Sequence, residues 1–318
     1  MTLEEGPGPP TSLAPEEVFA ILGNETRIQI LQTLGEAPGP LSFTELRDRV
    51  GIQQGGQFSY HLGQLGHFVR KREDGYELRQ TGRYVIQAVL SGAVTDGSVR
   101  EPTRVEQRCP RCDGPTEVRY HQGDVEQFCT ECDGTFGRHG PTQQGYLGCL
   151  TLPPAGLQGR TNDDVVRVAW TWTQLQSQAI ARGICPNCSA GLERWVDVCE
   201  EHDTSDGVCD RCGRRYAVQL HYRCTNCIFD GESTFSAALV ANIDFLAFLI
   251  SHGLDPISPT RFATVQRVFD DYDEVVRSTD PFEADFTFTV DGDALTLTVD
   301  ADLSVTDAER RTATDPVS

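Results

Sequence analysis

The chain has 318 residues, enough for two or three domains with a sizeable core. Its formal net charge is −20, no apolar run is long enough to cross a membrane, and the opening MTLEEGPGPP has neither the basic nor the apolar part of a secretion signal. These features predict a soluble, cytoplasmic protein with no membrane partner, and they speak against nucleic-acid binding through bulk positive charge.

Residues 1–12 are rich in proline and glycine and read as a disordered tail. In the following PEEVFAILGNETRIQILQTLG, Pro15 suits a first helical turn and Asn24 a cap, which predicts two helices. Their core candidates are Val18, Phe19, Ile21, Leu22, Ile28, Ile30, Leu31 and Leu34. Ser42 and Glu45 stand at capping-box spacing before a third helix, with Leu46 and Val50 inward and Gly51 at its end. In the fourth helix Phe58, His61, Leu62 and Leu65 make one buried stripe at the 3.6-residue period. The opposite face, Gln57, Ser59, Tyr60 and Gln64, carries neutral hydrogen-bonding groups long enough to reach base edges in a major groove. An ordinary solvated helix face has the same composition.

The next segment, FVRKREDGYELR, is two extended runs around an Asp-Gly turn and carries Arg70, Lys71, Arg72 and Arg79. Positions 43–83 hold 7 basic against 5 acidic residues, so this stretch is locally positive within an acidic chain. A helix-turn-helix followed at once by a basic hairpin is the winged-helix order, with a helix in the major groove and the hairpin on phosphate. Thr81 can cap a last helix whose Tyr84, Val85, Ala88 and Val89 have little to pack on within a small domain and so offer a dimer surface.

LGNETRIQILQTLG, LSFTELRDRVGI, FSYHLGQL and the GY-containing hairpin together resemble the ArsR-type winged helix-turn-helix regulators, in the form haloarchaea use, over residues 13–93. The resemblance implies a homodimer on a double-stranded, pseudo-palindromic DNA operator. It places Gln57, Ser59, Tyr60 and Gln64 against bases, and Arg70, Lys71, Arg72 and Arg79 on the DNA backbone. Metal-sensing relatives carry paired cysteines on the helix that here reads TELRDRV, and this helix has none. The composition, with Lys71 the single lysine and one methionine, resembles that of salt-in halophilic archaea. In molar salt phosphate contacts weaken steeply, which shifts the burden of recognition to the polar helix face.

Residues 94–107 read as a polar linker, and a cysteine-rich region follows. Ten of the twelve cysteines fall in five C-x-x-C pairs. Cys109, Cys112, Cys129 and Cys132 have zinc-ribbon spacing within residues 108–150. A connecting helix is predicted in 151–183, with Trp170 and Trp172 as core. Across 184–230, Cys185, Cys188, Cys199 and His202 form one spaced quartet and Cys209, Cys212, Cys224 and Cys227 another. Their near-equal spacing predicts two tandem zinc units; a cross-brace, in which the first and third pairs share one metal and the second and fourth another, fits the same residues. About three structural Zn2+ sites result, each with four ligands and no open catalytic position. Cys149 has no partner in this scheme and reads as a buried thiol.

Residues 231–306 read as an apolar helix ended by Gly253, an amphipathic helix TRFATVQRVFDDYDEVVRS, and a β-hairpin around an Asp-Gly turn; 307–318 read as a disordered tail. From about Gly183 to Val305 the chain resembles an uncharacterised region that accompanies such winged helices in haloarchaeal regulators. The fold class expected is α+β: a winged helix-turn-helix, zinc-ribbon modules, and a helical and β-hairpin region. The function expected is a non-enzymatic, homodimeric transcriptional regulator whose zinc-bearing half meets a small effector or a protein partner. The alternative is a zinc-ribbon adaptor whose winged helix binds protein.

Overall fold

In the computed structural model, residues 13–136, 144–205 and 207–313 are described, so the predicted tail 1–12 and the end of the predicted tail 307–318 lie outside them. The protein is mixed α+β with antiparallel sheets throughout, and it divides into two compact units, Met1–Asp96 and Gly97–Ser318.

The first unit is built of α1 (Pro15–Leu22), α2 (Glu25–Glu36), α3 (Phe43–Val50), α4 (Gly55–Gln64), a hairpin of β1 (Val69–Arg72) and β2 (Gly75–Leu78), and α5 (Gln80–Leu90). The local signals act as expected. The Asn24 side chain accepts from the Arg27 amide at 3.2 Å, and Ser42 and Glu45 exchange both bonds of the capping box at 3.0 and 3.2 Å. Gly51 ends α3 at φ 80°, a conformation that favours glycine. Phe58, Leu62, Leu65 and His61 are buried, together with Ile30, Leu31, Leu34, Leu46, Phe68 and Ile86. Gly75 lets the hairpin touch the segment before α3: Leu41 and Tyr76 exchange backbone bonds at 3.1 and 2.8 Å, and a Cβ on Gly75 would stand 2.3 Å from the Leu41 oxygen. In α1 no residue is fully buried and Phe19 is 72% exposed, so the inward role expected for that phenylalanine does not hold. Thr81 does not cap α5; its hydroxyl donates to the His67 carbonyl at 2.6 Å.

Among its described residues the second unit contains three sheets. The first is a meander of β3 (Val99–Arg108), β4 (Pro115–His121), β5 (Asp124–Cys129) and β6 (Tyr146–Thr151). The 20-residue α6 (Asn162–Ala181) leads to β7 (Leu192–Val198), β8 (Val218–Cys224) and β9 (Asp230–Thr234), then to α7 (Ser236–Leu239), α8 (Ile243–Ser251) and α9 (Phe262–Asp270). A last meander joins β10 (Asp273–Thr279), β11 (Phe282–Val290), β12 (Asp293–Val299) and β13 (Val305–Arg311).

Several expectations are corrected. The linker 94–107 is mostly β3, whose alternating exposure marks it as an edge strand pairing with β4. DEVVRS is β10 rather than the end of a helix, because Val276 packs on the core while its neighbours face solvent, a two-residue period. The apolar helix after Cys227 is two pieces, α7 and α8, separated where Asn242 caps the second by accepting from Asp244 and Phe245 at 2.9 and 3.0 Å. Much of the predicted tail 307–318 is β13, held in register against β12.

The modules that spacing divides share one core. It takes Val118, Tyr120 and Leu150 from the first sheet, Val166, Ala169 and Trp170 from α6, Val218 and Leu220 from β8, and Phe286, Phe288, Leu295 and Leu297 from the last sheet. Trp170 is 4% exposed and donates Nε1–H to Pro256 at 3.0 Å, whereas Trp172 is 43% exposed and is not core.

At the end of α9, burial pushes the Asp270 carboxyl from its ordinary 3.8 up to about 7. The native state then holds more protons than the unfolded chain between those values, so stability falls as pH rises through that window and is level above it. Asp270→Asn is expected to remove the decline, raising stability by roughly 1–2 kcal/mol at pH 7.5 with no gain at pH 4, after allowance for solvent screening of a half-buried group. Thermal unfolding from pH 4 to 8 checks this; equal wild-type and variant slopes would refute it.

Candidate metal centres and the exposed face of the first unit

Three clusters of four potential ligands each occur among the described residues, with all ligand atoms of a cluster within 4.8 Å of one another. Cys109 and Cys112, from the β3–β4 turn, meet Cys129 and Cys132 at the end of β5. The Cys109–Cys132 and Cys112–Cys129 sulfur separations are 3.8 and 3.5 Å. A metal with bonds of about 2.3 Å to four tetrahedral sulfurs requires edges of roughly 3.8 Å, and a disulfide requires about 2.05 Å. The observed distances suit the first and exclude the second. Gly145 closes the turn beneath this cluster: it has φ 87°, its carbonyl accepts from Cys129 at 2.7 Å, and a Cβ there would stand 2.0 Å from the Cys129 oxygen.

The second region overturns both pairings read from spacing. Cys185 and Cys188 meet Cys224 and Cys227, with sulfurs 3.7 and 3.5 Å apart; Cys199, His202, Cys209 and Cys212 form the other cluster. The arrangement is nested rather than tandem or cross-braced. The cause is the antiparallel register of β7 on β8, which sets Leu192 opposite Cys224 and Val198 opposite Val218. The first and fourth pairs therefore flank the open end of the hairpin. The second and third lie in the loop at its far end, which begins where Cys199 donates to Ala217 at 3.0 Å. Six residue steps separate the two ends, about 20 Å.

His202, the least secure ligand on sequence grounds, joins its cluster and accounts for Cys199. Its Nε2 lies 2.8 Å from the Arg215 carbonyl oxygen, which fixes the proton on that nitrogen and leaves Nδ1, 3.5 Å from the Cys212 sulfur, as the ligating atom. Backbone amides favour the thiolate at one cysteine of each of these two clusters: Cys227 and Asn226 hold the Cys224 thiol down at about 6, and Asp203 and Cys212 do the same for Cys209, while burial pushes Cys199 up to about 11. The loop is anchored from the last sheet, where the Glu274 carboxylate accepts from the amides of Ala217 and Val218. Cys149 belongs to no cluster and is exposed rather than buried, on β6 opposite Glu126. Each cluster supplies four ligands, so the arrangement suits structural metal and leaves no position for a reacting water.

In the first unit, Gln57, Ser59, Tyr60 and Gln64 all lie exposed on α4. The hairpin cations differ from expectation. Arg70 and Arg72 are exposed, but both donate to one oxygen of Glu77 at 2.7 Å, and Lys71 stands 6.0 Å over the Tyr76 ring. Arg79 is half-buried, and its Nε donates to the carbonyls of Gly66 and Val69 at 3.0 and 3.3 Å, which fastens the hairpin to the end of α4. With Glu73, Asp74 and Glu77 opposing Arg70, Lys71 and Arg72, the hairpin is electrically balanced.

Nesting gives a direct test by native mass spectrometry. Cys188→Ala with Cys227→Ala is expected to remove one bound metal and leave two, since both residues serve one cluster. Tandem or cross-braced ligation would lose two metals from the same variant and leave one.

Residues 15–89 match a family described as Domain of unknown function (DUF7347), and residues 106–305 match Domain of unknown function (DUF7351). No curated protein and no solved structure matches the chain. The second match spans well over half of the 318 residues, and the chain belongs to the DUF7351 family.

Proposed function

We propose that this protein is a sequence-specific DNA-binding transcriptional regulator, acting as a homodimer, whose second unit is held together by three structural zinc ions. The observation that carries the reading is the two-sided α4. Phe58, His61, Leu62 and Leu65 are buried, while Gln57, Ser59, Tyr60 and Gln64 stand in solvent. In a winged helix-turn-helix of the ArsR type, α3 and α4 form the helix-turn-helix, α4 enters the major groove and the β1–β2 hairpin is the wing. Glutamine, serine and tyrosine read base edges by hydrogen bonds, which salt weakens far less than phosphate contacts. The balanced hairpin fits that division: Arg70, Lys71 and Arg72 position the protein, and α4 selects sequence. On α5, Tyr84, 64% exposed and on the side away from the buried Ile86, offers apolar area for the dimer, whereas Val85 packs on the core. Sulfur-rich, closed, four-ligand sites select zinc over oxygen-seeking cations.

One observation favours a second reading, an adaptor whose winged helix binds protein: Glu77 already pairs with two of the three hairpin cations. The two are separated by selecting duplexes from a random pool with zinc-loaded protein in about molar KCl. A regulator enriches a palindrome with half-sites about one helical turn apart. Gln57→Ala or Gln64→Ala then costs about ten- to a hundredfold in affinity with unchanged folding, as expected for about 1–3 kcal/mol per lost base contact. Lys71→Ala weakens all sequences alike, and Arg79→Ala acts through stability. No enrichment by folded, metal-loaded protein would reject DNA readout and favour the adaptor.

A further inference from the structure

The second unit holds a half-open cavity of about 530 Å3 bordered by β6, α6, β9 and the end of α9, a size in the range of small-molecule sites. Asp124, Asp230, Glu232 and Asp270 line it, and among the described residues no lysine, arginine or histidine does. His221, 3.8 Å from Glu232, is outside the lining. Acidic groups alone would mean little in a protein this acidic. The cavity, however, also borders Gln174, which is 6% exposed and whose side-chain oxygen is buried without a donor; the Ser233 hydroxyl on β9 is buried and unpartnered as well. Buried acceptors in that state are costly unless something donates to them.

The rest of the lining specifies what kind of donor. Trp170 has its N–H committed to Pro256, so it offers the cavity apolar ring surface, and Tyr222, stacked on Phe229 at 5.5 Å between ring centres, offers more. Carboxylates and aromatic faces attract the same partner, an organic cation. A metal ion fits poorly: the clusters of metal-ligating groups close enough to share an ion are, among the described residues, the three cysteine-rich ones, and none includes these carboxylates.

We propose that this cavity is a binding site for a small organic cation of the primary-amine class, its ammonium paired with the β9 carboxylates Asp230 and Glu232 and donating to Gln174, its carbon skeleton against Trp170 and Tyr222. The site lies wholly within the second unit and does not rest on the DNA-binding reading. If that reading is also right, an amine is the effector class to test on operator binding.

Isothermal titration of full-length, zinc-loaded protein in about molar KCl, where loose ion pairing is screened, tests the site. The probes are putrescine, spermidine and phenethylamine, with 1,4-butanediol and 2-phenylethanol as neutral counterparts. At least one amine is expected to bind one per chain while the alcohols do not. Asp230→Asn with Glu232→Gln, at exposed positions the fold tolerates, is expected to weaken binding about tenfold or more. Gln174→Met is expected to weaken it similarly without lowering the thermal midpoint of the ligand-free protein, since it removes an unmet acceptor. Absence of binding by all three amines at millimolar concentration, equal binding of the alcohols, or amine binding indifferent to these substitutions would each overturn the proposal.

Discussion

The register of β7 on β8 governs more of this protein than any other single pairing. Seven residue pairs run from Leu192 opposite Cys224 to Val198 opposite Val218. Because the strands are antiparallel, cysteines far apart in the chain meet at one end of the hairpin and those nearer together meet at the other. Each cluster closes a stretch that has little apolar material of its own. Among the described residues of the 199–217 loop, for example, the buried apolar side chains besides the ligand Cys209 are Tyr216 and Ala217, where it rejoins β8. Metal bound to the folded state alone would contribute directly to folding free energy and would staple the hairpin at both ends, while its middle packs on the common core.

The metal loops are tied into that core by specific bonds. Tyr216 stacks on Tyr272 with ring centres 4.1 Å apart and donates to the Asp270 carbonyl at 2.8 Å, while Glu274 holds the amides on either side of the strand start. Arg215 donates its amide to Thr135 at 3.0 Å, and Arg267 donates to Pro110 at 3.1 Å, so the first cluster is linked to the second region and to α9. The three clusters therefore belong to one cooperative body. Inside it, the lining of the cavity against α6 and β9 sets four carboxyl groups beside aromatic rings, a combination that hydrophobic burial alone would not produce.

For the proposed regulator, the first unit faces a different constraint: an acidic chain with few free cations has to meet DNA. The surplus of basic residues over positions 43–83 is partly engaged within the hairpin, since Glu77 pairs with both Arg70 and Arg72 and the Arg79 Nε serves the main chain. What stays available is the neutral polar face of α4. Hydrogen-bonding groups keep most of their value at an ionic strength where the Debye length is about 3 Å, which makes that face, rather than the hairpin, the place where specificity would reside.

Much of this was legible in the sequence because it depends on neighbours in the chain. The Ser42–Glu45 box, the Asn24 cap, the stripe of Phe58, His61, Leu62 and Leu65, both Asp-Gly hairpins and the first cysteine cluster are all short-range patterns, fixed by helical period, turn chemistry or knuckle spacing. The tertiary structure decided the rest. Spacing cannot say which cysteine pairs share a metal, because equal intervals fit several pairings and only a strand register places one pair over another. It cannot recognise β3 and β13 as strands, since both are mostly exposed and polar and their order comes from bonds to a neighbour. Nor can it show that Arg79 fastens the hairpin or that Gln174 is buried beside a cavity, for those follow from packing between residues distant in the chain.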